Sequence, residues 1–397
     1  MLPDAGVRLL RWSLHASTLQ QTVEALVQGF VDECQAVGLP IRRFNLTIRT
    51  VHPLFIAENW IWVHGQPELQ VNRFTAAARA SGDFRRSPMR AIVEGEARRL
   101  RYPIARQGPY EFPLFEQYAA AGMTEYLVAA LSTEPSLPIT VSVMTDAQEG
   151  FSDAHITVLE DAFLGLHAPI ELYVHRSIAR SVCSTYIGQH TGPRVLRGEI
   201  HRGSVESLRA VVWFCDLRNF TPMTLQLGSQ GVVDVLNEFF GVVGACVEPC
   251  GGEILKFIGD AALAIFPIDG DEPAACLRAL DAAQGTLRAL AVRNAASPPD
   301  APSLQASISL HVGEVSYGNI GAPARLDFTV IGAAVNLTSR LNGLGPRLGE
   351  PVVMSDAFAA SAGCSLRPLG AHALKGIEGE VAVFGLPAGA IGLSDPA

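Results

Sequence analysis

Lysine is almost missing from this chain. Of 30 basic residues, 28 are arginine and two are lysine, Lys256 and Lys375. The scarcity makes the two survivors informative, because an arginine replaces a lysine on an open surface but not where a compact point charge is needed. Basic charge as a whole is also short. The net charge is −9, which argues against a nucleic-acid binder, since such proteins carry a basic face. Long apolar runs are lacking, and "FFGVVGACV" (239–247) is too short to cross a bilayer. No basic-then-apolar leader opens the sequence. A cytoplasmic protein with no membrane span is therefore expected. The seven cysteines have no zinc-finger spacing, and Cys246 and Cys250 read as buried thiols on a helix.

With 397 residues, 48% of them hydrophobic, the chain is long enough for two or three domains with sizeable cores. Residues 11–36 have helical periodicity, and 43–51, 59–65, 125–132 and 138–146 alternate like strands. The "EPS" at 134–136 supplies turn chemistry between the last two. Residues 66–110 are polar, arginine-rich and without clear period. A long helix is expected from Ser152, a good N-cap, with a kink or interruption at Pro169. Residues 188–208 are polar and glycine-rich and read as a connector. A clear strand follows at 209–216, then one helix from Pro222 to about Val247, a hairpin turning at Gly259 and Asp260, and a helix over 273–294. Strands at 304–313 and near "LDFTVI" come next, then a helix carrying "AAVNLTSRLNGL" and short strands at "SLRPLG" and "VAVFGL". This is a β-α-β-β-α-β order, so an α+β, ferredoxin-like core with extra C-terminal strands is expected.

Asp216 ends an apolar strand and Asp260 sits at the hairpin turn 44 residues later. Carboxylates in apolar surroundings are costly, and two close together repel; a divalent cation removes both costs. Oxygen ligands with no nearby Cys or His favour Mg²⁺ or Mn²⁺ over zinc. The N–H groups that open the helix after "LRNFT" form a phosphate cradle beside them. Asn336 and Arg340, four apart, share a helix face. Taken singly, each of these residues also fits a plain structural role as a cap, a turn or a surface charge.

Together, "FCDLRNFT", "GGEILKFIGDAALAIF", "FTVIGAAVNLTSRL" and "LKG" resemble the class III nucleotidyl cyclase catalytic domain, from about Ala210 to Leu386. The resemblance implies a role at each matching position. Asp216, Asp260 and the Leu217 carbonyl hold two Mg²⁺ or Mn²⁺ ions per active site. Arg218, Asn219, Phe220 and Thr221 form the triphosphate turn. Lys256 and Thr329 read the purine. Asn336 orients the ribose, Arg340 stabilises the transition state, and Lys375 binds the terminal phosphates. Both lysines thus fall on functional positions of the family. Asn219 stands where many members have glycine, but asparagine tolerates left-handed backbone. The family further implies a homodimer whose shared sites take Asp216 and Asp260 from one chain and Asn336 and Arg340 from the other.

Lys256 donates and the Thr329 hydroxyl accepts, which matches N1 and N6 of adenine, whereas guanine would meet Lys256 donor to donor. The expected activity is ATP to cyclic AMP and pyrophosphate. The alternatives are a guanylate cyclase or a non-catalytic nucleotide-binding regulator. Upstream, the element order and the "GFSD…LE" stretch resemble a GAF-like sensor domain, and a PAS-like module fits the same order. The implied layout is a sensor over 1–165 with an unknown small-molecule or protein regulator, a helical connector over 166–208, a catalytic domain over 209–388 and a tail over 389–397.

Overall fold

The computed structural model describes residues 2–19, 22–132, 138–387 and 389. The "EPS" turn and nearly all of the tail expected at 389–397 lie outside them. The chain divides into two compact units at Val182/Cys183.

The first unit opens with two helices, α1 (Leu2–Leu19) and α2 (Val23–Ala36), where the periodicity of 11–36 predicted one. Thr22 starts α2 by accepting from the Ala25 N–H. Strands β1 (Arg43–Arg49), β2 (Ala57–Val63) and β3 (Gln70–Phe74) follow. Next come three short helices, α3 (Ala76–Ala80), α4 (Gly82–Arg85) and α5 (Arg90–Val93). Then β4 (Arg99–Pro103), α6 (Leu114–Ala120), β5 (Glu125–Ala130) and β6 (Ile139–Thr145) complete a six-stranded antiparallel sheet ordered β3-β2-β1-β6-β5-β4. Alternation along β1 sends Phe44, Leu46 and Ile48 into the core beneath the helices. Helix α7 (Asp153–Ile187) begins where Ser152 accepts from the His155 N–H. Pro169 does not interrupt it. The ring is buried among apolar neighbours inside a continuous 35-residue helix, so packing outweighs the lost backbone bond.

The second unit begins with α8 (Thr191–Leu196) and β7 (Val205–Leu217), which starts four residues before the predicted strand. The single helix predicted from Pro222 is two helices, α9 (Phe220–Gln226) and α10 (Ser229–Val247), broken at Leu227 and Gly228. After a 3₁₀ turn come β8 (Glu253–Ile258), β9 (Ala261–Pro267) and α11 (Glu272–Ala296). Strand β10 (Ala306–Ala322) runs on past the predicted end at Gly313 and folds back on β11 (Arg325–Ile331). Helices α12 (Ala333–Asn342) and α13 (Gly345–Leu348), strand β12 (Val352–Ser355), helix α14 (Asp356–Ser361) and strands β13 (Arg367–Ala373) and β14 (Glu380–Gly385) follow among the described residues.

The sheet runs β13-β14-β12-β10-β7-β9-β8, with β11 beside β10. Its β10-β7-β9-β8 part places the fourth, first, third and second strands of the βαββαβ unit side by side, the ferredoxin-like order. Strand β7 is buried on both faces. Val211, Trp213 and Cys215 pack with α10 and α11, and Ala210 and Val212 pack with β11 and α12. Ser229–Cys250 is long and apolar enough by length and composition to cross a membrane, and here Val235, Phe239, Val243 and Val247 form its buried stripe. All seven cysteines are free; Cys246 on α10 and Cys250 in the 3₁₀ turn after it are half-buried rather than buried.

Candidate active site

The site is built on the β7 face that carries Ala210 and Val212. Antiparallel pairing sets Asp216 opposite Ala261, so Asp260, one residue earlier at the hairpin turn, lies beside it. Gly259 makes that turn with φ +65°, backbone that glycine adopts without strain. The Leu217 N–H donates to the Asp260 carbonyl at 3.3 Å, fixing the two segments together. The Asp260 carboxyl is near enough for its charge to act on that of Asp216. One Asp216 oxygen, Oδ1, is buried with no hydrogen-bond partner. Burial, and then the charge of Asp260, push the Asp216 carboxyl up to about 6. An orphaned acceptor in a crowded anionic pair is what a cation site offers before it is filled. Among the described residues there is no cluster of three or more His, Cys, Asp or Glu. Two carboxylates are therefore the available acidic side chains, hard oxygen donors that suit Mg²⁺ or Mn²⁺.

This weakened acidity gives a stability prediction. The folded chain holds the Asp216 proton more tightly than the unfolded chain, so metal-free stability falls as pH rises from about 4 to about 6 and stays reduced above. Asp216→Asn removes the cost. With a discount for partial exposure, denaturant unfolding in chelator should find the variant more stable than the parent by on the order of 1–2 kcal/mol at pH 7. At pH 4 the gap should close. A gap that is widest at pH 4 contradicts the pairing.

The turn after β7 begins with Arg218. Its N–H donates to the Gln305 carbonyl at 2.8 Å, and its guanidinium donates to the Glu350 carbonyl. Burial lowers its pKa. The side chain thus braces the turn against the β12 entry. Asn219 has φ 59° and ψ 26°, the left-handed conformation that the glycine-to-asparagine argument required. It caps α9 without a side-chain bond, so the N–H groups of Phe220 and Thr221 face outward uncapped. The Phe220 ring packs on the core, and Thr221 is exposed.

Lys256 projects from β8 and its Nζ lies 2.6 Å from Asp327 Oδ2 on β11. Two residues on, and so on the same face of β11, Thr329 is 4% exposed, and its hydroxyl has no hydrogen-bond partner. The structure thereby brings Lys256 to the strand that carries Thr329. Asp327 is a member of this cluster that the motif reading missed. The signal was present: it stands two residues before Thr329, one strand period. Both charges are partly exposed, so the pair positions Lys256 more than it stabilises the fold.

Gly332 starts α12 at φ +148°. Ala334, Thr338, Leu341 and Asn342 bury one face of the helix, leaving Asn336 and Arg340 exposed on the other. Among the described residues neither side chain bonds to another group, the aspartate pair included. Lys375 is exposed at a turn held by buried Leu374, whose carbonyl accepts from the Ile377 N–H at 3.1 Å. A donor-acceptor pair on a separate helix face and an unpaired lysine are thus displayed rather than gathered within one chain.

The connector is held to this unit by a buried cluster. Thr191 of α8 donates to Glu253 Oε1 at 2.7 Å, and the Tyr317 hydroxyl donates to Oε2 at 2.9 Å. Arg194 lies over the Tyr317 and Phe328 rings and pairs with Glu199 and Glu206.

The model of one protein family, the adenylate and guanylate cyclase catalytic domain, matches residues 205–384. That segment belongs to this family. The cyclase segment is 30% identical over 166 residues to an adenylate cyclase of Anabaena cylindrica, covering 42% of this chain and 33% of the relative. The chain spans about one third of the length of the curated relatives it matches. Among solved structures, the adenylyl cyclase CyaB from P. aeruginosa is 24% identical, with a TM-score of 0.43 over 46% of this chain and 96% of that one. The guanylyl cyclase Cya2 is 29% identical, with a TM-score of 0.42 over 46% and 92%. Class III cyclases use divalent metal ions, and the oxygen ligands at Asp216 and Asp260 fit such ions.

Proposed function

We propose that the cyclase segment converts ATP to 3′,5′-cyclic AMP and pyrophosphate, as a symmetric homodimer regulated by the N-terminal unit. The observation that carries the choice of ATP is the pairing of Lys256 with the strand of Thr329, whose buried hydroxyl lacks a partner. Lys256 donates to adenine N1, and the hydroxyl accepts from the N6 amine. Guanine would bring its own N1–H against the ammonium.

Asp216, Asp260 and the Leu217 carbonyl would hold two divalent ions, which when bound supply Lewis acidity that makes the ribose 3′-hydroxyl a nucleophile and screens the triphosphate. The outward N–H groups of Phe220 and Thr221 bind phosphate oxygens. Arg218 keeps that turn in place through the Glu350 carbonyl. Lys375 binds the terminal phosphates as a point charge. Asn336 orients the ribose, and Arg340 offsets the charge that builds on the α-phosphate as the 3′-oxygen attacks in line. Because Asn336 and Arg340 are displayed on the open face of α12, a second copy supplies them to each aspartate pair. Incubating the purified chain with ATP and Mn²⁺ or Mg²⁺ tests the reading: equimolar cyclic AMP and pyrophosphate are expected, and ATP left intact would refute it.

Base choice has its own test. Lys256→Glu with Thr329→Cys should move selectivity from ATP toward GTP. A mismatched buried hydrogen bond costs about 1–3 kcal/mol, so each change should shift the ratio by roughly tenfold to a hundredfold. A folded double variant with the parent's ATP/GTP ratio would remove both residues from base reading.

For regulation, the N-terminal unit is read as a GAF-like module, supported by its antiparallel sheet with α1, α2 and α7 packed on one face. Deleting residues 1–190 spares the Thr191–Glu253 bond. The truncated chain should differ in specific activity from the full one; equal rates would make the first half a bystander.

A further inference from the structure

The first unit holds a half-open cavity of about 840 Å³ on the sheet face opposite α1, α2 and α7. Its floor is a polar ladder. Thr140 on β6, Thr47 on β1, Asn59 on β2 and Asn72 on β3 stand directly across from one another in register. Asn72 Nδ2 donates to the side-chain Oδ1 of Asn59 at 3.0 Å. The Thr140 hydroxyl is buried with no partner. Such a ladder would face water on an ordinary open sheet. Here Phe84, Met89, Pro113 and Tyr118 close over it and give it apolar walls.

The charge of the lining is one-sided. Four arginines border the cavity, and among the described residues no aspartate or glutamate does. Arg73 is tied to Glu58, and Arg86 donates to the Gly82 carbonyl. Arg43 lies with its guanidinium 5.6 Å from the Tyr118 ring centre, and its Nε is buried with no hydrogen-bond partner. A buried guanidinium N–H left open beside an aromatic wall, an unpaired hydroxyl further along the same sheet face and no acid among the described lining residues mark a site that lacks its anion. The volume lies within the range of small-molecule pockets, which combine apolar walls with a few placed polar groups.

We propose that this cavity binds a small organic anion with a planar apolar body. Its carboxylate or phosphate engages Arg43, its polar edge meets the threonine and asparagine ladder, and its ring lies among Phe84, Met89 and Tyr118. The inference stands apart from the cyclase reading, since it uses none of the same residues.

Calorimetric titration of the full chain with 2-naphthoate, 2-naphthyl phosphate and the neutral 2-naphthamide tests it. At least one anion should bind ten times more tightly than the amide or better, and which one does identifies the charged group. Arg43→Gln should weaken that binding about tenfold or more, the scale of a lost charge-assisted hydrogen bond. Thr140→Val guards against a variant that fails to fold: it deletes a hydroxyl with no protein partner, so thermal stability should hold while anion affinity falls. The proposal is overturned if the amide binds as well as the anions, if neither anion binds at millimolar concentration, or if both variants keep the parent's affinity.

Discussion

Asp216→Ala and Asp260→Ala are each expected to fold and to turn over no nucleotide at any metal concentration. Folding should survive because the bonds involved are few. Asp216 Oδ1 has no partner to lose, and the Asp260 contact with Leu217 runs through the main chain. Catalysis should not survive. Each carboxylate is half of the proposed acidic ligand set, and no third acid or histidine is grouped with them among the described residues. Rate assays with Mn²⁺ titrated to saturation, alongside circular dichroism, check both halves. A variant that keeps near-parent rate at high metal would remove the aspartates from the metal role.

Arg340→Ala should slow turnover by on the order of 10²–10³, the usual loss when one transition-state charge stabiliser is removed. Its fold should be untouched, because the side chain is exposed and bonds to nothing among the described residues. The more telling experiment mixes this variant with Asp216→Ala. If the aspartates and Arg340 of one site come from different chains, half of freely exchanged dimers are mixed. Each mixed dimer holds one doubly damaged site and one intact site. About a quarter of parent activity should then return, a figure set by two-fold symmetry alone. Mixed dimers that demonstrably form yet stay inactive would rule out shared sites.

Much of this was legible in the sequence because the informative residues lie in short, locally ordered stretches. Asp216 at a strand end, Asp260 at a glycine turn and Asn336 with Arg340 at helical spacing need only local periodicity to be placed. Asn219 is the sharpest case, since a side-chain preference anticipated a left-handed residue that the structure contains. The misreadings have physical causes. Gly313 looked like the end of a strand, yet β10 continues to Ala322. The glycine is there because a Cβ would come 2.8 Å from the Ala334 methyl, so α12 needs the space. The Leu227–Gly228 break in the predicted long helix was hidden because the apolar pattern resumes at once in α10. Residues 66–110 were opaque because their elements are four or five residues long, too short to establish a period. The alternation of β1 gave no sign of what its polar positions face. Only the tertiary structure places them inside a cavity, because the segments that cover them are distant in sequence.

The central claim is that Lys256 and Thr329 select adenine on a working cyclase site. One measurement tests it most directly: the purified full chain is given equimolar ATP and GTP with Mn²⁺, and both cyclic products are quantified by mass in the same reaction. The account predicts cyclic AMP in at least tenfold excess, the scale of one mismatched hydrogen bond. Cyclic GMP in excess, or neither cyclic nucleotide, would contradict it.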